Sequence, residues 1–131
     1  MNSTPHGGKP EIRTLSPEDI TTSSDAFIGI AADQPGEYWL EAHFLLELPD
    51  KWNLSFAAWC GDRPVGYAIL SRKSSDTVHL HHFMIAADYR GYGLGTRMLD
   101  EMEARARTTG ASRLTLKVST GNARAREFYD R

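Results

Sequence analysis

A single cysteine, Cys60, stands among 131 residues, and one thiol cannot close an internal disulfide. That excludes the stapled scaffold of small secreted domains and suits a reducing, cytoplasmic setting. Long hydrophobic runs are missing too: none approaches the ~18 residues that a membrane span requires, so no membrane partner is expected. The first ten residues, M-N-S-T-P-H-G-G-K-P, lack the apolar stretch of a signal peptide and are broken by proline and glycine. They read as a flexible leader, 1–10, ahead of one domain over 11–131. The composition is ordinary for a globular chain, 40% hydrophobic and 24% charged. A chain of this length buries roughly two-thirds of its unfolded surface.

A net charge of -2 conceals an uneven distribution. Residues 1–50 hold only Lys9 and Arg13 against nine acids, whereas the remainder holds 13 basic residues against 8 acidic ones. Such a chain can offer an anionic and a cationic ligand neighbouring places, or it can simply carry clustered surface charge. Basic residues are not interleaved with aromatics and the total is acidic, so no nucleic-acid partner is expected.

Ile12 to Leu15 has the make-up of a short strand. Ser16-Pro-Glu-Asp then combines an N-cap, a first-turn proline and first-turn acids, which predicts a helix running to about Ala32, where Asp33-Gln-Pro-Gly breaks it. A second helix is expected from Glu37 to Leu48, ending at Pro49. Leu54 to Trp59 and Val65 to Leu70 read as a hairpin. Thr77 to Ile85 is apolar on both faces: alternation puts Val78, Leu80 and Met84 on one side and His79, His81, Phe83 and Ile85 on the other, with His82 opposite His79 and His81. A strand apolar on both sides belongs in a sheet covered on both sides.

Leu94, Met98, Met102 and Ala106, joined by Leu99, mark one face of a helix. Its other face carries Glu101–Arg105 and Glu103–Arg107 pairs, and Gly110 is placed to end it. Leu114, Leu116 and Val118 alternate as a strand, and Asn122 would cap a short last helix, A-R-A-R-E-F-Y. The order β-α-α-β-β-β-α-β-α predicts one α/β domain built on a mixed sheet.

Between the strand ending at Ile85 and the helix beginning near Leu94 lies R-G-Y-G-L-G, residues 90–95. A glycine-rich strand-to-helix turn offers free amides at the positive end of a helix dipole, which suits phosphate. G-x-x-x-x-G-K-[ST] is absent, and G-x-G-x-x-G fails because Thr96 stands where the third glycine belongs. Taken alone, the cluster is either a phosphate loop or a tight turn.

The run I-A-A-D-Y-R-G-Y-G-L-G-T-R-M-L resembles the acyl-coenzyme-A signature of the GNAT superfamily of N-acetyltransferases, V-x-P-x-[YF]-[QR]-[GR]-x-G-[ILV]-[GA]. The later N-A-R-A-R-E-F-Y resembles the family's N-x-x-A-x-x-F-Y. Element order agrees from Ile12 to Tyr129, with Ala87 standing where the family often has proline. The resemblance implies a GNAT-like mixed sheet and acetyl-CoA as co-substrate, with no metal. Acetyl would pass to a primary amine, of a small molecule or a peptide, by direct attack in a ternary complex. Backbone amides of Arg90, Gly91, Tyr92, Gly93, Leu94, Gly95 and Thr96 would cradle the pyrophosphate. Main-chain groups around Phe83, Met84 and Ile85 would pair with pantetheine where strands 4 and 5 splay, and Asn122 would contact its arm. Tyr129 sits where the family often has the tyrosine that protonates the departing thiolate.

Some members carry an acidic base at the position of His79, and an imidazole there suits proton removal from an amine. His79 is therefore the candidate base, against the alternative that His79 and His81 merely fill a half-buried strand face. H-L-H-H has no Cys or acid at a zinc-ligand spacing, so metal is not expected. The family pattern continues with two more strands after F-Y, and these are absent from the sequence, which stops at Arg131. That leaves the strand 114–118 with an open edge, so self-association into a homo-oligomer is expected through that edge or the last helix, and an inactive or truncated coenzyme-binding module that self-associates is the alternative to an enzyme. The segment between strands 1 and 2 shapes the acceptor site in this family. Here Asp33, Glu37, Glu41 and Glu47 accompany Tyr38, Trp39, His43 and Phe44, a mixture that suits a cationic amine or an ordinary amphipathic helix.

Overall fold

The computed structural model describes residues 9–34, 39–117 and 123–127, with only the backbone described for Lys117 and 123–127. Asn122 and Tyr129 lie outside the described residues, as do Glu37, Tyr38 and Val118.

After β1 (Glu11–Thr14), Ser16 starts the first helix for a local reason. Its hydroxyl accepts the Asp19 amide at 3.2 Å while the Asp19 carboxylate accepts the Ser16 amide at 3.0 Å, and Pro17 brings a preset φ. The single helix expected over 16–32 is two, α1 (Pro17–Thr22) and α2 (Ser24–Ala31), divided at Ser23. The next helix, α3 (Glu41–Leu45), is shorter than expected, and a one-turn helix, α4 (Lys51–Leu54), follows it. Asp50 enters α4 with a left-handed φ of 57°, a conformation that Asp tolerates.

The hairpin is β2 (Phe56–Cys60) and β3 (Arg63–Ser74), then come β4 (Thr77–Ile85) and a single turn at Ala87–Tyr89. Helix α5 spans Leu94–Thr108, β5 spans Arg113–Lys117, and β6 spans Ala123–Glu127. Among the described residues six strands lie in sequence order in one sheet, antiparallel except for the parallel β4–β5 pair. The mixed α/β architecture is as expected.

The C-terminal segment is not. Residues 123–127 were expected in a helix and instead pair with β5 from Arg113↔Glu127 to Lys117↔Ala123. A-R-A-R-E has period two as well as helical spacing, and an isolated helix of two turns is marginal in water. Addition to β5 gives the same backbone a ladder. The β5 edge expected to seek a second chain is therefore occupied by β6, and Leu114 is buried.

Two layers cover the sheet. On one side Phe27 of α2 and Phe44 of α3 pack on Tyr67 of β3, with ring centroids 5.9 and 5.1 Å away. On the other, α5 buries Leu94, Met98, Met102 and Ala106, while Leu99, expected beside them, is 41% exposed. Gly66 of β3 permits the close approach of α5: a Cβ there would stand 3.2 Å from Met98 Sδ. The expected acid–base pairs along α5 form, Glu101–Arg105 at 2.7 Å and Glu103–Arg107 at 3.9 Å, and Gly110 (φ 84°) follows the helix. No helix among the described residues is long and apolar enough to cross a membrane.

Candidate active site

Along the β3–β4 ladder Ile69 faces His82, but the next pair is Leu70 with Leu80. His81 is thus an extra residue and β4 bulges there. Directly paired residues share a face, and Tyr67, Ile69 and Ser71 alternate onto the side covered by α2 and α3. Their partners Met84, His82 and His79 lie on that side too. His81 joins them, because its Nε2 is 2.6 Å from Ser71 Oγ. Strict alternation separated His82 from His79 and placed Phe83 and Ile85 beside the histidines. The bulge corrects both: three histidines share the α2–α3 face, and Phe83 and Ile85 lie with Val78 and Leu80 on the α5 face.

Each imidazole is anchored. His79 Nδ1 is 2.7 Å from Thr115 Oγ1 of β5, and the His79 and His81 rings meet edge to face with centroids 4.7 Å apart. His82 Nδ1 is 2.7 Å from the Tyr67 hydroxyl. Its ring lies nearly parallel to that of Trp39, 4.6 Å away, and to that of Tyr67, 5.5 Å away. Burial, then the charges of His79 and Lys51, pull His81 down to about 4, so it is neutral at physiological pH. Lys51, only 1% exposed, donates to Phe44 O and Leu46 O at the end of α3 and lies 4.6 Å over the Trp52 ring. Burial lowers its ammonium to about 8 against the opposing pull of Glu47. Sequence reasoning missed Lys51, Ser71 and the Trp39–His82–Tyr67 stack. A lone lysine after Pro49-Asp50 carries no signal of burial, and the stack depends on a bulge that periodicity does not register.

The β4–β5 ladder is short. Among the described residues, pairing runs from Thr77↔Arg113 to Leu80↔Leu116, while β4 continues to Ile85. The main chain of Phe83, Met84 and Ile85 stays bound to β3 on its other edge. Beyond Ile85 the chain passes through the turn at Ala87–Tyr89 into the glycine loop. Gly91 and Gly93 both take φ 85°, a region closed to most side chains, and Gly93 caps α5. The amides of Leu94, Gly95 and Thr96 form the first turn of α5 and have no acceptor within the helix. Gly95 packs on Ile85, whose Cδ1 would be 3.4 Å from an added Cβ. Tyr92 projects from the loop, 54% exposed.

Arg90 differs from expectation. Its amide donates to Ala87 O at 3.4 Å, its Nε donates to Ile85 O at 3.0 Å, and its guanidinium is 3.6 Å from Asp33. Arg90 therefore ties the loop to the strand end and to Asp33 just after α2, and the amides open to an anion begin after it. Arg97 similarly donates to Pro10 O at 2.9 Å. The acids thought to attract a cationic acceptor are dispersed. Asp33 holds Arg90, and Glu47 accepts from Trp52 Nε1 at 2.8 Å, leaving Glu41 exposed on α3. A cavity of about 400 Å³ opens between α2 and the turn at Ala87–Tyr89, and its Arg63 is held by Asp88 through two 3.1 Å bonds.

The family model described as the acetyltransferase (GNAT) family matches residues 22–131. An uncharacterized N-acetyltransferase of Mycobacterium bovis is 30% identical over 115 residues, spanning 88% of this chain and 67% of the relative. Among solved structures, Ard1 from Thermoplasma volcanium superimposes with a TM-score of 0.72 at 24% identity, covering 86% of this chain and 74% of its own. The PaiA N-acetyltransferase of Thermoplasma acidophilum, in complex with coenzyme A, gives 0.66 at 18% identity, covering 85% and 80%.

Proposed function

The chain belongs to the GNAT family of acetyltransferases, and on that premise we propose that it carries acetyl from acetyl-CoA directly onto a primary amine while both substrates are bound. The observation that carries this reading is that, among the described residues, β4–β5 pairing reaches only Leu80, five residues before β4 itself ends. An extended pantetheine arm can add to the edge of β4 left beyond Leu80, as a peptide adds to a sheet edge. The same strand leads into the two left-handed glycines and the open amides of Leu94, Gly95 and Thr96, where a pyrophosphate would be held. The distance along the chain from one feature to the other is short and rigid, as one bound coenzyme requires.

In the proposed reaction the amine nitrogen attacks the thioester carbonyl carbon, the carbon–sulfur bond breaks, and acetyl remains on nitrogen. A main-chain amide among Phe83, Met84 and Ile85 polarises the carbonyl. His79, oriented by Thr115, takes the proton that the amine loses, directly or through water. Tyr129 returns a proton to the thiolate and Asn122 contacts the pantetheine arm. Both roles follow from the family resemblance, since these residues lie outside the described ones.

Thermal unfolding with and without acetyl-CoA tests the proposal. Ligand at ~100 times Kd adds about 2.7 kcal/mol, and for a domain of this size each kcal/mol raises Tm by roughly 3–6 °C. The parent should gain about ten degrees and Gly93→Glu, with a carboxylate in the loop, none. A folded parent that gains nothing rejects coenzyme binding.

A further inference from the structure

We propose that the acceptor is a primary amine bearing an aromatic group, which packs on the outer face of Trp39, and that Trp39 sets the preference for it. This rests on the coenzyme reading above. Trp39 lies on β4 through the His82 ring, 4.6 Å from it and nearly parallel at 29°. His82 precedes Phe83, the first of the main-chain positions that would face the thioester. Trp39 thus stacks on the side chain of the residue just before the proposed reacting centre, on the face that also carries His79 and His81. Phe44 braces it edge-on at 5.2 Å, so its orientation is fixed by packing rather than by solvent.

Charge selects between acceptor classes. A polyamine or a lysine-rich peptide needs carboxylates to spare near the site. Among the described acids of the 33–47 segment, Asp33 faces Arg90 and Glu47 accepts from Trp52, which leaves the single exposed Glu41, and Lys51 places a buried cation at the end of α3. Leu40 and Leu46, 53% and 59% exposed at the two ends of α3, instead add apolar surface, with Leu40 adjoining the half-buried Trp39 in the chain. Such a surface favours one amine on an apolar or aromatic body over a chain with several cationic centres. Substrate aromatic groups gain most from a fixed ring that meets them face to face or edge to face.

The experiment compares phenethylamine and putrescine as acceptors with acetyl-CoA, reading release of the coenzyme thiol by the full chain. Phenethylamine should show at least a tenfold higher kcat/KM, and Trp39→Ala should remove most of that advantage while leaving the acetyl-CoA-induced rise in Tm intact. Trp39→Leu, which keeps apolar volume without an aromatic face, decides the matter if Trp39→Ala does not fold. A preference for putrescine, an unchanged ratio in the folded variant, or acetylation of neither amine by a chain that binds acetyl-CoA overturns the inference. Absence of the acetyl-CoA shift in the parent overturns the coenzyme reading first and this one with it.

Discussion

Ser71 stands opposite His79 in the β3–β4 ladder yet bonds to His81, with 2.6 Å between Ser71 Oγ and His81 Nε2. One extra residue in β4 makes this possible. It turns a strand that would have shown its histidines to both layers into one that shows all three to the same layer. The bulge also falls one residue after the last β4–β5 pair among the described residues, Leu80↔Leu116. Bulges of this kind are known devices for re-aiming side chains and ending pairing beside functional sites.

The acid limb of stability should carry the mark of His81. Its imidazole is held near 4 in the folded chain, chiefly by burial, against an ordinary value of 6.5. Below about 6.5 the unfolded chain takes up a proton that the folded chain refuses until about 4. This stability is therefore complete above pH 6.5 and is lost as pH falls through that window. A depression of this size corresponds to on the order of 3 kcal/mol. Urea midpoints at pH 7 and pH 4.5 should differ by more in the parent than in His81→Leu; equal differences would show that His81 is not the group responsible.

Lys51 predicts a second window, at the alkaline end. Its folded value near 8 lies below the ordinary 10.5 because burial disfavours the charged form. Between those values the unfolded chain binds more protons, so stability should rise with pH from about 8 to about 10.5. Lys51→Met abolishes that rise. At neutral pH it also leaves Phe44 O and Leu46 O without their donor, a loss of about 2 kcal/mol. Denaturant titrations at pH 7.5 and 10 measure both effects.

Much of the fold was legible because its signals are local. Ser16-Pro17 with Asp19 specifies a helix start, Leu94, Met98, Met102 and Ala106 specify a buried helical stripe, and Gly91 with Gly93 specifies a left-handed turn. What escaped depends on partners distant in sequence. The bulge at His81 is defined by the register against Leu70, eleven positions away, and alternation alone assigns the later half of β4 to the wrong layer. Ala123–Glu127 carries both a helical and a strand pattern, and only the presence of β5 decides between them. In the candidate site, Gly91 to Thr96 could be identified from spacing, whereas the engagement of Arg90 with Ile85 and Asp33 could not.

Two glycines should answer alanine with opposite signs. Gly29 lies inside α2, and an added Cβ meets nothing within 4 Å. Gly29→Ala reduces the entropy of the unfolded chain at no steric cost and should stabilise by about 0.5–1 kcal/mol. Gly66→Ala would bring Cβ to 3.2 Å from both the Met84 carbonyl oxygen and Met98 Sδ. Backbone cannot yield as a side chain can, so a loss of about 1–3 kcal/mol is expected. Thermal unfolding of the two variants side by side checks the prediction, and the same sign for both would contradict it.

His79 offers the sharpest test of how the proton leaves the amine. If its imidazole is the acceptor, His79→Ala should lower kcat by about 10²–10⁴-fold while the acetyl-CoA-induced rise in Tm persists, because His79 lies in the paired half of β4 and away from the glycine loop. Thr115→Val removes the hydroxyl 2.7 Å from His79 Nδ1 and leaves the ring itself. It should cost less than His79→Ala, on the order of tenfold, the effect of a ring held less firmly. His81→Gln distinguishes the neighbours: with His81 neutral and turned to Ser71, it should retain most of the rate. A His79→Ala variant as fast as the parent, with His81→Gln slow, would transfer the proton-accepting role to the residue at the bulge.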